Sequence, residues 1–513
     1  MTVAIKLFPD TYVDSVVQLR GMRAMREVDG SAWASAGMAT PTNVKTLRAE
    51  GVDPAEVANA GSNDFFLVVR ARTDSVAAEA LAAGESAVAS AGPPDGTAAD
   101  ETRTPRSLRG AVLAQPGTNV AVISLPGDYA ALAAHQALSA DLHVLLFSDN
   151  VPVDKEVVLK DRALSHGLLL MGPGAGTAML GGVGLGFANA VRPGPVGIVA
   201  AAGTGAQEAM SLLDRWGVGI SQVIGVGGRD LSAEVGGRMA CAAVSALRED
   251  PATEVILFVS KPPAPEVAAS VLATAGEKPL VAALIGLDPQ FPAPAGVVLA
   301  GTLESGVTAT LDVLGIAAPD TTATIGPTLA EAHSRLAPGR RLIRGLFSGG
   351  TLCYEALAIL GRTVGEVHSN TPINPAWGMP APDGSHQCLD LGEEEYTRGR
   401  PHPMIDPEAR IELLVEHAAD PRVGVIILDV VLGHGSDPDP AKTLAPACRA
   451  AMGDDGPQVV AYVLGTNQDP QGFASQREQL VQAGCMVTES AARATLAAAA
   501  IATGDSSLAR LSL

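Results

Sequence analysis

The stretch AAAGTGAQEAMSLL, residues 200–213, returns in altered form as LFSGGTLCYEALAIL, residues 346–360. In both, an apolar run ends at a Gly-Thr pair, Gly203-Thr204 and Gly350-Thr351, and a helical pattern follows with a glutamate, Glu208 and Glu355, about one turn in. A strand that enters a glycine turn and then a helix leaves backbone N–H groups unsatisfied, with the positive end of the macrodipole behind them. Such an end receives an anion such as phosphate, and glycine lets the ligand approach the backbone. One copy reads equally well as an ordinary tight turn. Two copies in one chain favour a phosphate site made of Gly203, Thr204, Gly205, Gly350 and Thr351. Glu208 and Glu355 either cap backbone donors or act on a substrate, capping being the simpler role.

Working outward, each copy continues to a glycine-bearing strand exit, GVGGRD at 225–230 and DLGEEE at 390–395. Each then has an Asp-Pro pair before a long apolar strand, at Asp250 and Asp420. The matching order predicts one α/β domain present twice, over residues 191–325 and 326–513. Upstream, the apolar strands NVAVISL, HVLLFS and LLLMGP alternate with amphipathic helices, which predicts a Rossmann-like domain with a parallel sheet over 109–190. Residues 1–90 alternate short strands and helices and predict a small ferredoxin-like or ACT-like α/β domain. The Pro-, Gly- and Thr-rich segment 91–108 reads as a linker.

A chain of 513 residues needs several cores, and 47% hydrophobic with 3% aromatic residues means cores of Ala, Val, Leu and Ile. A net charge of −20 argues against general binding of nucleic acid or anionic membrane. Cys241, Cys353, Cys388, Cys448 and Cys485 show no CxxC spacing, so neither a zinc knuckle nor a disulfide framework is expected. With no signal-like N-terminus and no long apolar span, a reduced cytoplasm is the expected location.

Two further segments stand out. Gly182, Gly184 and Gly186 in GGVGLGFANAV alternate as in a dinucleotide loop but do not lie between a strand and a helix, so a plain loop is expected; SLPGDYA at 124–130 has only one glycine. The polar segment 384–410 gathers His386, Asp390, Tyr396, Arg400, His402 and Asp406, where guanidinium and imidazole groups would grip a carboxylate. Its spacing matches no metal-ligand pattern, so no metal is expected, and a solvated loop is the alternative.

These residues resemble the α subunit of succinyl-CoA synthetase and its ATP-citrate lyase relatives, through VLLFSDNVP, MGPGAGTAM, VGIVAAAGTGAQEAM and EDPATEVILFVS. Over about the whole chain, SDNVP, GVGLGFANAV, GGRDLS, FSGGTLCYEA and YTRGRPHPMID resemble the FdrA proteins, often labelled acyl-CoA synthetases. The resemblance implies a CoA-binding-type Rossmann domain at 109–190 and two flavodoxin-like, ligase-CoA-type domains after it. In that family, Gly-Thr turns hold the phosphoryl group of a phosphohistidine at helix N-termini from two subunits; here both turns lie in one chain.

The departures are equally informative. No histidine occurs between His166 and His333, where the ligases carry theirs. Gly174 and Ala175 replace the Asn-Cys or Asp-Cys of the family, and no ATP-grasp domain is visible. No cofactor is therefore required, with CoA or a nucleotide a weaker expectation. FdrA-type proteins are also implicated in a multi-subunit oxamate carbamoyltransferase of allantoin breakdown, which converts oxalurate and phosphate to oxamate and carbamoyl phosphate. The resemblance thus implies a carbamoyltransferase component, with acyl-CoA synthetase and non-catalytic scaffold as alternatives. Its expected partners are phosphate or carbamoyl phosphate, a small carboxylate amide, further copies of itself and other subunits. Arg400 and His402 are the candidate catalytic pair gripping the carboxylate, and Asp390 and Tyr396, like Glu208 and Glu355, would support the site.

Overall fold

The structure is a computed structural model that describes residues 1–513 except 12, 14, 53–59, 91–104, 106, 289, 323–325, 398–400 and 513. It divides into two compact units, residues 1–104 with 398–401, and residues 105–397 with 402–513.

The first unit runs β1 (Thr2–Phe8), α1 (Ser15–Arg26), β2 (Ser31–Met38), α2 (Pro41–Ala49), β3 (Phe65–Ala71) and α3 (Asp74–Ala89). Its sheet is antiparallel in the order β1-β3-β2, a small α/β domain with three strands among the described residues. Helices α1 and α3 cover one face around Met25, Leu67, Val69 and Ala80. They pack closely at Gly84, where a Cβ would stand 2.6 Å from Met25 Cγ. Thr73 starts α3 by accepting from Val76 N–H.

The second unit begins with α4 (Leu108–Ala114), β4 (Val120–Ile123), α5 (Gly127–Leu138), β5 (His143–Leu146), α6 (Val153–Ser165) and β6 (Leu170–Met171), a parallel β4-β5-β6 sheet. Next come β7 (Thr177–Leu180), β8 (Val183–Gly186), β9 (Pro193–Ala201), α7 (Gly203–Arg215), β10 (Ile220–Gly225), α8 (Arg238–Glu249), β11 (Val255–Ser260), α9 (Pro265–Leu272), β12 (Leu280–Leu284), β13 (Val297–Ala300) and α10 (Leu303–Val313). Their sheet has the order β13-β12-β11-β9-β10-β7-β8, parallel except for the β7–β8 hairpin and its join to β10.

The glycines at 182–186 thus form a hairpin rather than the expected plain loop. The turn falls at Gly181 and Gly182, both with positive φ, and Gly186 backs so closely onto Gly176 that no side chain fits. The hairpin also carries the second sheet back across residue 190, where the sequence pattern placed a domain boundary. Buried Lys160 of α6 ties the small sheet to this domain through Asp230 at 2.7 Å, Glu156 at 2.8 Å and the Val226 carbonyl at 3.0 Å.

The remainder runs α11 (Gly326–Ser334), β14 (Leu342–Phe347), α12 (Gly350–Thr363), β15 (Val367–His368), β16 (His386–Asp390), α13 (Glu394–Thr397), α14 (Glu408–Ala419), β17 (Val423–Val431), α15 (Pro440–Met452), β18 (Gln458–Leu464), α16 (Phe473–Gln482), β19 (Met486–Thr488) and α17 (Ala491–Thr503). The sheet β15-β16-β14-β17-β18-β19 is parallel throughout. One apolar core joins the two large sheets through α7, α10, α12 and α17. The alanine-rich α17 is buried at every position from 491 to 501, which lets neighbouring helices approach on all sides. No described helix is long and apolar enough to cross a membrane.

Candidate functional site at two joined helix starts

Strands β9 and β14 each end in a glycine turn because the chain must reverse into a helix lying against its own sheet. The N-cap residues, Ala202 and Gly349, offer no side-chain cap, so neither helix closes its own N-terminus. The two starts meet. Thr351 N–H donates to Thr204 Oγ1 at 3.3 Å, and each threonine sits where the other helix has a glycine. A Cβ at Gly205 would stand 2.8 Å from Thr351 Cγ2, and one at Gly349 would stand 2.9 Å from Thr204 Cγ2. Five glycine and threonine positions picked out by the repeat are therefore brought together.

Asp429 of β17 takes up the loop donors that precede α12. It accepts from Ser348 N–H at 2.8 Å, Ser348 Oγ at 2.9 Å and Gly349 N–H at 2.7 Å, and buried Arg410 neutralises it at 2.8 Å. Of the donors that follow, Thr351 N–H goes to Thr204 Oγ1, and those of Gly350 and Leu352 are left to the helix start itself. Thr351 Oγ1 is buried and has no hydrogen-bond partner among the described residues, a costly state that a ligand oxygen would relieve. Gly203 is open, with Thr177 Oγ1 at 3.8 Å from its absent Cβ as the nearest neighbour.

Asp390, at the end of β16, points one carboxylate oxygen at Gly350 and the other at Gly392, whose N–H it accepts at 3.0 Å. Burial pushes its carboxyl up to about 6 against the pull of Lys261. Lys261, one residue past β11, reaches the same place from the other sheet, with Nζ 3.3 Å from the absent Gly350 Cβ and 5.1 Å from the centre of the Tyr354 ring. Nothing in the strand-exit sequence FVSKPP distinguished this lysine; only the packing of two sheets places it here.

The segment after β16 separates on inspection. His402 lies beside Asp390: its Nε2 is 2.7 Å from the absent Gly392 Cβ, and its ring packs 6.0 Å from that of Phe187. Its Nδ1 accepts from Met404 N–H at 3.2 Å, which leaves the proton on Nε2. Burial first, and Arg410 second, lower its pKa to about 4, so the ring is neutral near pH 7. Arg400 lies outside the described residues. His386 is structural, its Nδ1 accepting from Ile343 N–H at 3.0 Å. Tyr396, on α13, packs against the apolar core that includes Leu389, Leu391 and Leu414. Asp406 accepts from Glu408 N–H at the start of α14.

The two glutamates do cap backbone donors, but of other helices. Glu355 accepts from Leu303 N–H of α10, and Glu208 accepts from Ala491 N–H of α17 and from Tyr462 OH. Burial pushes Glu208 up to about 7, and Glu355 well above the carboxylate range with Glu208 adding to it.

Comparison with known proteins agrees with this architecture. Over 97% of its length the chain is 38% identical to the uncharacterized protein YahF of Escherichia coli (strain K12), covering 98% of that protein. The chain belongs to the YahF family. Within this YahF-family chain, the CoA-ligase family matches residues 346–501, the CoA binding domain 191–285, and the heavy metal-associated domain of AllF 1–105. The α subunit of succinate–CoA ligase [ADP-forming] from Aquifex aeolicus (strain VF5) is 29% identical over 34% of this chain and 58% of that subunit. ATP citrate lyase from Methanothrix soehngenii is 20% identical over 42% of this chain and 38% of that one, with a TM-score of 0.30, and carries no argument here. The chain is thus similar to succinate–CoA ligase α subunits over part of its length. Its first 105 residues contain neither cysteine nor histidine, and among the described residues no three His, Cys, Asp or Glu side chains cluster to hold a metal ion.

Proposed function

We propose that this chain performs ligase-type acyl transfer to or from phosphate, with the phosphoryl group seated where α7 and α12 begin and with no phosphohistidine. The reading is carried by the Thr351 N–H to Thr204 Oγ1 bond, which turns two helix starts into one place lined by donors. A phosphate oxygen held there attacks the acyl carbonyl carbon, a new C–O bond forms, and the leaving group departs with a proton. Fixed backbone donors favour the charge that develops on the phosphoryl and carbonyl oxygens. Direct attack is favoured because the segment between His166 and His333 offers no imidazole carrier.

That missing carrier also favours a second, narrower reading, carbamoyl transfer between oxalurate and phosphate. The turn at 124–128 supports it. An acidic Asp128 occupies the first turn of α5, and Gly127 is packed against the backbone oxygens of Asp149 and Asn150, 2.5 Å from its absent Cβ. Such a turn does not fit the diphosphate of CoA, so no cofactor is assigned to it. Neutral His402, donating from Nε2, and Arg400 would grip the carboxylate, and self-association and partner subunits belong to the same proposal.

The deciding assay uses the purified chain, alone and with the products of neighbouring genes, on acetyl phosphate and on oxalurate plus phosphate, and separately on ATP, CoA and an organic acid. Phosphate-dependent cleavage of oxalurate, impaired by His402→Ala and Arg400→Lys without loss of phosphate binding, supports carbamoyl transfer. Turnover only with ATP and CoA rejects it. No phosphate binding at all rejects the site.

A further inference from the structure

Lys261 is a cation on which no anion closes, although Asp390 faces it. Among the described residues its Nζ makes no hydrogen bond and no ion pair. Lys160, a fully buried lysine of the same unit, behaves differently from half-buried Lys261: it closes on Glu156 and Asp230 at 2.8 and 2.7 Å. Were Lys261 only the counter-ion of Asp390, a flexible four-carbon stem would let it close in the same way. It stands off instead over the Tyr354 ring, an arrangement that favours a cation and holds it in place. Nζ and the Asp390 carboxylate both close on the position that a side chain of Gly350, the first residue of α12, would take, and Asp390 Oδ2 is the nearer of the two.

Two independent features adjoin that position. Gly350 is the residue at which α12 begins without a side-chain cap, and the next residue carries the buried, unpartnered Thr351 Oγ1. We propose that Lys261 is the charged ligand of the joined helix starts, donating to a non-bridging oxygen of a phosphoryl group seated over Gly350, so that the site takes phosphate and acyl phosphates rather than neutral acyl donors alone. The proposal rests on the phosphate reading above and adds a residue from the other sheet to it. The two halves then contribute unequally: the second supplies the start of α12 at Gly350, and the first supplies the charge. Any side chain at position 350 would fill the seat and push against both Lys261 and Asp390.

The test is calorimetric titration of the full chain with inorganic phosphate, and separately with acetyl phosphate, for wild type, Lys261→Met, Lys261→Arg and Thr351→Val, with thermal unfolding run on each. Loss of one charge-assisted contact weakens phosphate binding by about ten- to a hundredfold in Lys261→Met. Lys261→Arg keeps most of the affinity, and the unfolding temperatures of both stay close to wild type because among the described residues Lys261 has no hydrogen bond or ion pair to lose. If wild type binds phosphate, Thr351→Val weakens it and Lys261→Met binds as wild type does, the role of Lys261 is overturned while the phosphate site stands. If wild type binds neither ligand, the site reading and the role of Lys261 both fall. If Lys261→Arg behaves like Lys261→Met while folding normally, the ammonium is not acting as a charge and the proposal is also overturned.

Discussion

At the start of α7 nothing approaches the space over Gly203 more closely than Thr177 Oγ1, whereas at the start of α12 the corresponding Gly350 faces Lys261 and Asp390. The glutamates one turn further on differ in the same way. Glu208 is satisfied by Tyr462 and Ala491, while Glu355 caps Leu303 and leaves its second oxygen without a partner among the described residues. A duplicated sequence has therefore built a symmetric frame and an asymmetric site. Symmetry serves packing, because glycine and threonine from each copy interlock. Asymmetry serves chemistry, because one ligand cannot be gripped identically from both sides and still present one reacting face.

The largest effect comes from breaking the interlock. Gly205→Val puts atoms into Thr351 Cγ2 and Val259 Cγ1, which stand 2.8 and 2.9 Å from its Cβ, and should destabilise the chain by about 3 kcal/mol in urea unfolding. Gly203→Ala should leave stability within about 0.5 kcal/mol of wild type while weakening phosphate binding, since its methyl group enters open space meant for the ligand. Equal destabilisation by both changes would mean that the open side of α7 is ordinary packing.

Next in size is the pH dependence of the buried acids. The Glu208 carboxyl stands at about 7 in the folded chain against an ordinary 4.5. Between these values the folded state binds more protons than the unfolded state, so stability falls as pH rises through that window. A displacement of this size corresponds to about 3 kcal/mol. Glu208→Gln should remove most of this fall when unfolding is compared at the two ends of the window; an unchanged slope would assign the pH dependence elsewhere.

A smaller effect is expected at Asp390, whose carboxyl ionises at about 6 beside the proposed anion seat. Sulfate, whose charge is constant over this range, should bind about three- to tenfold more weakly once Asp390 is ionised, and Asp390→Asn should flatten that profile. A flat wild-type profile would place the anion away from Gly350. The smallest signal is a null one: labelled ATP, or carbamoyl phosphate labelled in its phosphate, should leave no acid-labile, base-stable label on any of the nine histidines. Stable labelling would replace direct attack by a carrier mechanism.

The elements were largely legible because unbroken apolar runs such as VILFVS and VGVIILDVV can only be strands buried on both faces, and the helices between them carry their period openly. The Gly-Thr repeat was legible because it recurs with its neighbours in order. The glycine hairpin at 177–186 was misread because alternating glycines hide the side-chain pattern by which a strand is recognised. The apolar packing of Tyr396 was not legible because a polar segment does not reveal which of its side chains lies against the core.

By itself, the sequence determined the parallel α/β plan, the recurrence of the Gly-Thr pattern and the absence of histidine between His166 and His333, since each is written in local pattern or in residue identity. Tertiary structure alone decided that the two helix starts touch, that Glu208 and Glu355 cap helices in other parts of the chain, and that Lys261 meets Asp390 over Gly350. Lys261 and Asp390 are 129 positions apart, on loops of two different sheets. Their proximity follows from the shared apolar layer of α7, α10, α12 and α17, whose packing fixes how one sheet stands against the other and leaves no trace in either loop.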